Sequence, residues 1–219
     1  MEQNYVAANY RKLLPIFGGA FSKAPLLFPL CEGSAYYGLF ADKPQSAIQS
    51  SLENMLAKEK AEWSLSGYLE NRATLLKYYP QMVAERRFYH LGIDIGAPCG
   101  TVLHAPLDCE AAISDYDEGQ GNYGGFTVLR CQSRSGATQY MLFGHLDPDG
   151  LPPVGAKLKK GEAFALLGDM DQNGNWFYHT HLQALTQLAF DEGWARKGYC
   201  KESELAGIDK YCPDPFALL

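Results

Sequence analysis

From Phe88 the texture of the chain changes to short apolar segments broken by Gly and Pro. Gly96-Ala97-Pro98, Gly119-Gln120-Gly121, Asp147-Pro148-Asp149-Gly150 and Asn173-Gly174-Asn175 are built from residues that favour turns. The segments between them are short and apolar: His90–Ile95, Thr101–Ala105, Glu110–Ser114, Gly125–Cys131, Gln139–His145, Ala163–Leu167 and His179–Leu185. Such a series predicts a compact antiparallel β-sandwich or barrel-like domain over residues 86–190.

Upstream the period changes. Ile48, Leu52, Met55 and Leu56 follow Pro44 at helical spacing, with Glu and Lys between them, and predict one amphipathic helix. Leu69, Arg72, Leu75, Leu76 and Tyr79 predict a second over Ser66–Tyr79, stopped by Pro80. In that helix Arg72 reads as a stem lying along the apolar edge with its charge in water. The expected fold class is therefore α+β. It has a mainly helical N-terminal region (1–85), a β-domain (86–190) and a C-terminal tail (191–219) packed on it. A chain of 219 residues suits one large domain with an appendage.

Composition narrows the function. The net charge is −6 and no Lys/Arg block occurs, so a nucleic-acid partner is not expected. No apolar run reaches the length of a membrane-spanning helix. Met1-Glu2-Gln3-Asn4-Tyr5 lacks the positive start of a signal peptide, and the six cysteines form no C-x-x-C pair. Both readings favour a cytoplasmic protein with reduced thiols.

All five histidines lie between residues 90 and 181. His90-Leu91-Gly92-Ile93-Asp94 on one strand puts His90 and Asp94 on one face, and His179-Thr180-His181 does the same for its two imidazoles. A catalytic zinc site takes three protein ligands and keeps a fourth position open. His90, Asp94 and one of His179 and His181 meet that count. The remaining histidine would be free for proton transfer, with His145 as a second candidate base at a strand end. His104 is assigned no role.

The stretch from His90 to Asp94, with Gly96-Ala97-Pro98-Cys99-Gly100-Thr101 after it, resembles the opening motif of the lysostaphin/LytM-type zinc metallopeptidases. Gly144-His145-Leu146, Val154–Glu162 with Gly168, and His179-Thr180-His181-Leu182-Gln183 are similar to that family's later segments, in order, over about residues 88–185. The resemblance implies a peptidoglycan-endopeptidase-like hydrolase with one Zn2+ per chain, cleaving an amide bond in a peptide or peptidoglycan fragment through a zinc-bound water. Carried over residue by residue, it implies His90, Asp94 and His181 as metal ligands and His145 and His179 as catalytic histidines. Thr180, Gln183 and Val102-Leu103 depart from the family pattern without removing a ligand. A narrower likeness, through Leu167-Gly168-Asp169, Asn173–Trp176 and Cys212-Pro213-Asp214-Pro215, is to the module found beside phosphotransferase-like and class-III aminotransferase domains.

The alternative reading is a non-catalytic, zinc-binding peptide or partner module of the same fold. The helical N-terminal region is open as a substrate-gating cap or as a docking surface for a partner enzyme. Asp115, Asp117, Glu118, Asp147, Asp149, Asp169 and Asp171 sit in the segments outside the family pattern. They predict an acidic groove that favours an amine-bearing substrate.

Overall fold

In the computed structural model, which describes residues 5, 8–132 and 136–219, the turn-cut region supplies six strands of an eight-stranded sheet. The N-terminal part supplies β1 (Leu26–Leu27), α1 (Tyr37–Phe40), α2 (Gln45–Glu59), β2 (Ser64–Ser66), α3 (Ala73–Leu76) and α4 (Pro80–Glu85). Then follow β3 (Arg87–His90), β4 (Ile93–Gly96), β5 (Val102–His104), β6 (Cys109–Asp117), β7 (Gly124–Gln132), β8 (Thr138–Leu146), β9 (Lys157–Leu158), β10 (Ala163–Leu166) and β11 (His179–Thr186). The chain closes with α5 (Gln187–Asp191), β12 (Tyr199–Lys201) and short 3-10 turns. The main sheet runs β1-β2-β4-β11-β8-β7-β6-β9, antiparallel except for β1 beside β2. β5 with β10, and β3 with β12, form separate two-stranded ribbons. Met1-Glu2-Gln3-Asn4, from which the start of the chain is expected to lack a signal peptide, lie outside the described residues.

Both faces of the sheet are covered, which is why its central strands read as nearly unbroken apolar runs. On one face Ile93, Ile95, Leu129, Met141, Phe143 and Leu182 pack with Leu103, Phe164 and Trp63. On the other, Phe126, Val128, Leu142 and Leu185 pack against Trp194, Cys200, Ile208 and Cys212 of the C-terminal segment. A third core joins Phe28, Phe40, Ile48, Leu52, Leu76, Tyr79 and Met82 to Trp176, Phe177 and Tyr199. It lays the N-terminal segment over one end of the sheet.

The N-terminal region is less helical than its periodicity suggests. The helix after Pro44 is present, with Ile48 and Leu52 buried. The expected helix over Ser66–Tyr79 is not. Ser66 pairs with Asp94 in the sheet, Leu69 has a positive φ of 56°, and helix survives only over Ala73–Leu76. Backbone bonds from Leu69 N to His90 O and from Arg72 N to Phe88 O run this segment along β3 instead. Pro80 opens α4 rather than ending a helix, because its missing N–H costs nothing in a first turn. Residues 64–66 also belong to the main sheet, so the N-terminal region shares its architecture with the β-domain.

Candidate metal centre and histidine cluster

His90 and Asp94 meet by a bend, not by the alternation of one strand. β3 ends at His90 and β4 begins at Ile93, so His90 lies in the ribbon with β12 while Asp94 lies in the main sheet. Gly92 makes the bend tight: a Cβ there would stand 2.6 Å from His181 Cε1 and from Leu182 O. His181 is brought in by register, directly opposite Asp94 across β4 and β11. Directly opposed residues place their side chains on the same face. His179, two residues earlier, points the same way.

Three atoms converge. His90 Nε2 lies 2.8 Å from His181 Nδ1 and 3.1 Å from Asp94 Oδ1, and His181 Nδ1 lies 3.2 Å from the same oxygen. Their partners assign the tautomers. His90 Nδ1–H donates to Gly67 O at 2.8 Å, and His181 Nε2–H donates to Gln183 Oε1 at 2.9 Å. With its outward nitrogen donating in this way, each ring can turn its inward nitrogen as a lone pair toward a cation shared with the Asp94 oxygen. Zinc bonds of about 2.0–2.1 Å in a tetrahedron set ligand atoms about 3.3 Å apart, which fits these separations. The residues present suit the ion, and the outward hydrogen bonds are those that orient metal-binding imidazoles.

The other two histidines complete the arrangement. His179 Nδ1–H donates to Phe177 O at 2.7 Å, and its Nε2 stands 3.6 Å from Asp94 Oδ1. His145 Nδ1–H donates to Asn173 O at 2.8 Å, and its ring centroid is 4.4 Å from that of His179. His145 has a φ of 65°, a left-handed conformation in which strain concentrates at functional sites. Tyr123 O accepts from its backbone N–H, and Gly144 before it leaves room for the Tyr123 ring.

All five side chains are at most 5% exposed. Burial, joined by the nearby Arg72 cation, pushes His90 down to about 3. Burial, joined by the neighbouring imidazoles, also lowers His145 well below the usual range, and burial lowers His179. Burial alone would raise the Asp94 carboxyl. The Arg72 guanidinium and the surrounding imidazoles outweigh it and hold Asp94 well below the usual carboxylate range.

Arg72 is the residue that the sequence misplaces. Its charge is not in water: Nη1 donates to Asp94 Oδ2 at 2.5 Å, while Nε and Nη2 donate to Glu70 Oε2 at 3.1 and 3.0 Å. Glu70 also accepts from Leu30 N and Gly67 N, and Gly67 is the residue whose carbonyl holds His90. Gln183, which departs from the family pattern, holds His181. His104 lies apart from the cluster, with Gly18 against its ring.

A pocket of about 50 Å³ reaches the cluster, with His145 and His181 among its lining residues. Tyr123, Trp176, Tyr199 and Met82 also line it, and Arg87, Arg196 and Asp117 bring charge to it. The expected acidic groove is absent from this pocket. Asp117 alone of the seven carboxylates lines it. Arg196 pairs with Asp117 at 3.4 Å and with Asp115. Asp147 accepts from Asp149 N in its own loop and from Gln172 of the next, and Asp169 accepts from Tyr178 Oη.

No family model matches the chain. An N-succinylarginine dihydrolase from Zymomonas mobilis is 28% identical over 120 residues, 55% of this chain, and the match spans about a quarter of that protein's length. Among solved structures, a zinc-containing peptidase from Vibrio cholerae gives a TM-score of 0.36 at 23% identity, over 45% of this chain and 27% of that one. The catalytic domain of lysostaphin from Staphylococcus simulans gives 0.34 at 22% identity, over 45% of this chain and 68% of that one. The catalytic domain of the prophage-encoded M23 protein EnpA from Enterococcus faecalis gives 0.34 at 18% identity, over 54% of this chain and 80% of that one. No helix among the described residues is long and apolar enough to cross a membrane.

Proposed function

We propose that this chain is a zinc-dependent hydrolase that cleaves an amide bond in a short peptide or a small peptidoglycan-derived fragment. The observation that carries the reading is the triangle of His90 Nε2, Asp94 Oδ1 and His181 Nδ1, three potential ligand atoms packed at ligand spacing. Zinc held there would supply Lewis acidity, polarising the scissile carbonyl and lowering the pKa of the attacking water.

The protein's own groups supply proton transfer. His145 and His179 are kept neutral by burial, and each has its Nδ1–H tied to a backbone carbonyl. That leaves Nε2 as the basic atom on both rings. One such nitrogen can take the proton of the water and return it to the departing amine nitrogen. Arg72 engages Asp94 through Oδ2, leaving Oδ1 for an ion.

Covering of the cluster by Tyr79, Trp176 and the N-terminal core favours a small substrate over an intact cell-wall polymer. It also favours the cap over the docking surface as the role of residues 1–85. A cytoplasmic location, and kinship with the module that accompanies phosphotransferase-like and aminotransferase domains, complete the proposal.

Metal analysis should find about one zinc per chain. The zinc-loaded protein, incubated with Gly-Gly, D-Ala-linked and ordinary dipeptide substrates, should release cleavage products detectable by mass spectrometry. Stoichiometric zinc with no turnover across the panel would return the chain to the binding-module reading.

A further inference from the structure

The pocket beside the histidines has the wrong electrostatics for an amine. Arg87 lines it with a side chain only 15% exposed, whereas its ion-pair partner Glu85 is 55% exposed. The pair is close, Nε to Oε2 at 2.8 Å, yet the buried Nε makes no hydrogen bond of acceptable direction. Glu85 is the sole partner of this guanidinium among the described residues. Arg196, the second arginine of the pocket, is fixed by Asp115 and Asp117 and has its guanidinium carbon 5.2 Å from the centroid of the Phe126 ring. Asp117 is therefore already engaged, while Arg87 retains donor capacity.

The pocket is small, and like other small-molecule sites it is walled by apolar and aromatic groups and carries a few polar anchors. Here Met82, Tyr123, Trp176 and Tyr199 are the walls, His145 and His181 connect to the cluster, and Arg87 is the underused anchor. A guanidinium presents paired donors in one plane, the geometry that a carboxylate accepts.

The geometry points to a small amide with a free carboxylate as the substrate class, with Arg87 as the residue that selects it. The inference rests on the hydrolase reading for the fate of the ligand, but its recognition step is separable from turnover.

The test uses two matched probes, N-acetylglycine and N-acetylglycinamide, titrated calorimetrically into the zinc-loaded full chain. N-acetylglycine should bind on the order of 10- to 100-fold more tightly, as for a charge-assisted hydrogen bond. In Arg87→Gln the preference should fall to about threefold or less, and Arg87→Lys should keep an intermediate preference, because it retains charge without the planar fork. Thermal melts establish that both variants are folded. Equal binding of the two probes by the wild type overturns the proposal. So does a preference that survives in Arg87→Gln, since the metal alone would then be taking the carboxylate. The hydrolase reading is judged separately, with N-acetyl-Gly-Gly and its C-terminal amide. Carboxylate preference without cleavage of either would sink that reading and leave the pocket assignment standing.

Discussion

Arg72 Nη1 donates to Asp94 Oδ2 at 2.5 Å, on the carboxylate oxygen that His90 and His181 do not share. The two oxygens of Asp94 are thus divided between an internal cation and the proposed ion. Glu70 balances the arginine, so the buried positive charge is not left uncompensated.

Removing Arg72 should loosen Asp94. Arg72→Lys, a point charge that cannot span Glu70 and Asp94 together, should weaken zinc binding about 10- to 100-fold, as measured by competition with a chelating dye. Arg72→Ala should also destabilise the fold by about 3–5 kcal/mol in denaturant unfolding, because Glu70 and Asp94 would be left buried without their partner. Unaltered zinc affinity in Arg72→Lys would remove the arginine from the centre.

Ligands and bases should separate by phenotype. Asp94→Ala and His181→Ala should lose zinc. His145→Ala and His179→Ala should keep it and lose about 10²- to 10⁴-fold in kcat/KM, the usual worth of general acid–base help. Metal analysis beside steady-state kinetics on the same preparations makes the distinction. Loss of zinc from His145→Ala would redraw it.

Zinc should stabilise the native state, since the unfolded chain does not hold the three ligands together. At a free zinc concentration one hundred times the dissociation constant, the gain is about 2.7 kcal/mol. Denaturant titrations with and without a chelator would measure it, and coincident curves would count against a site in the folded protein.

The thiols should be slow to react. Burial pushes Cys131 and Cys200 up to about 11 and Cys212 up to about 12. Burial, with Cys131 beside it, pushes Cys109 up to about 12. A raised thiol pKa means less thiolate. At pH 8 a thiol of pKa 12 is ionised in about one molecule in ten thousand, so modification of these four should follow unfolding. Exposed Cys99 should react in the native protein. If the proposed cytoplasmic location holds, the unfolded, unreduced chain should yield six titratable thiols. A count near two would oppose it.

The histidine cluster was legible because its spacing and residue types are unusual together, and the strand regions because Gly, Pro and Asn mark their ends. What escaped depended on partners distant in sequence. Leu69, Arg72, Leu75, Leu76 and Tyr79 recur at helical intervals, yet they serve different surroundings: Leu69 packs beside the sheet core, while Leu75, Leu76 and Tyr79 join the N-terminal core. Arg72 has no local signal for burial, since one partner is Glu70 two residues away and the other Asp94 across the fold. The split between His90 and Asp94 was hidden because strand alternation and a bend at Gly92 give the same spacing in the sequence. The acidic loops misled for a different reason: Asp115, Asp117, Asp147 and Asp169 are engaged by neighbouring backbone, Gln172, Tyr178 and Arg196, and of the seven carboxylates only Asp117 lines the pocket.

The bend after His90 gives the proposed ion a mechanical part. His90 hangs from the ribbon that β3 makes with the C-terminal β12, whereas Asp94 and His181 are rooted in the main sheet. An ion gripping all three would be a buckle between two separately hydrogen-bonded pieces of the chain. A chelator would then unfasten the ribbon as well as disarm the chemistry, and injury to the distant tail would surface as a leak of metal.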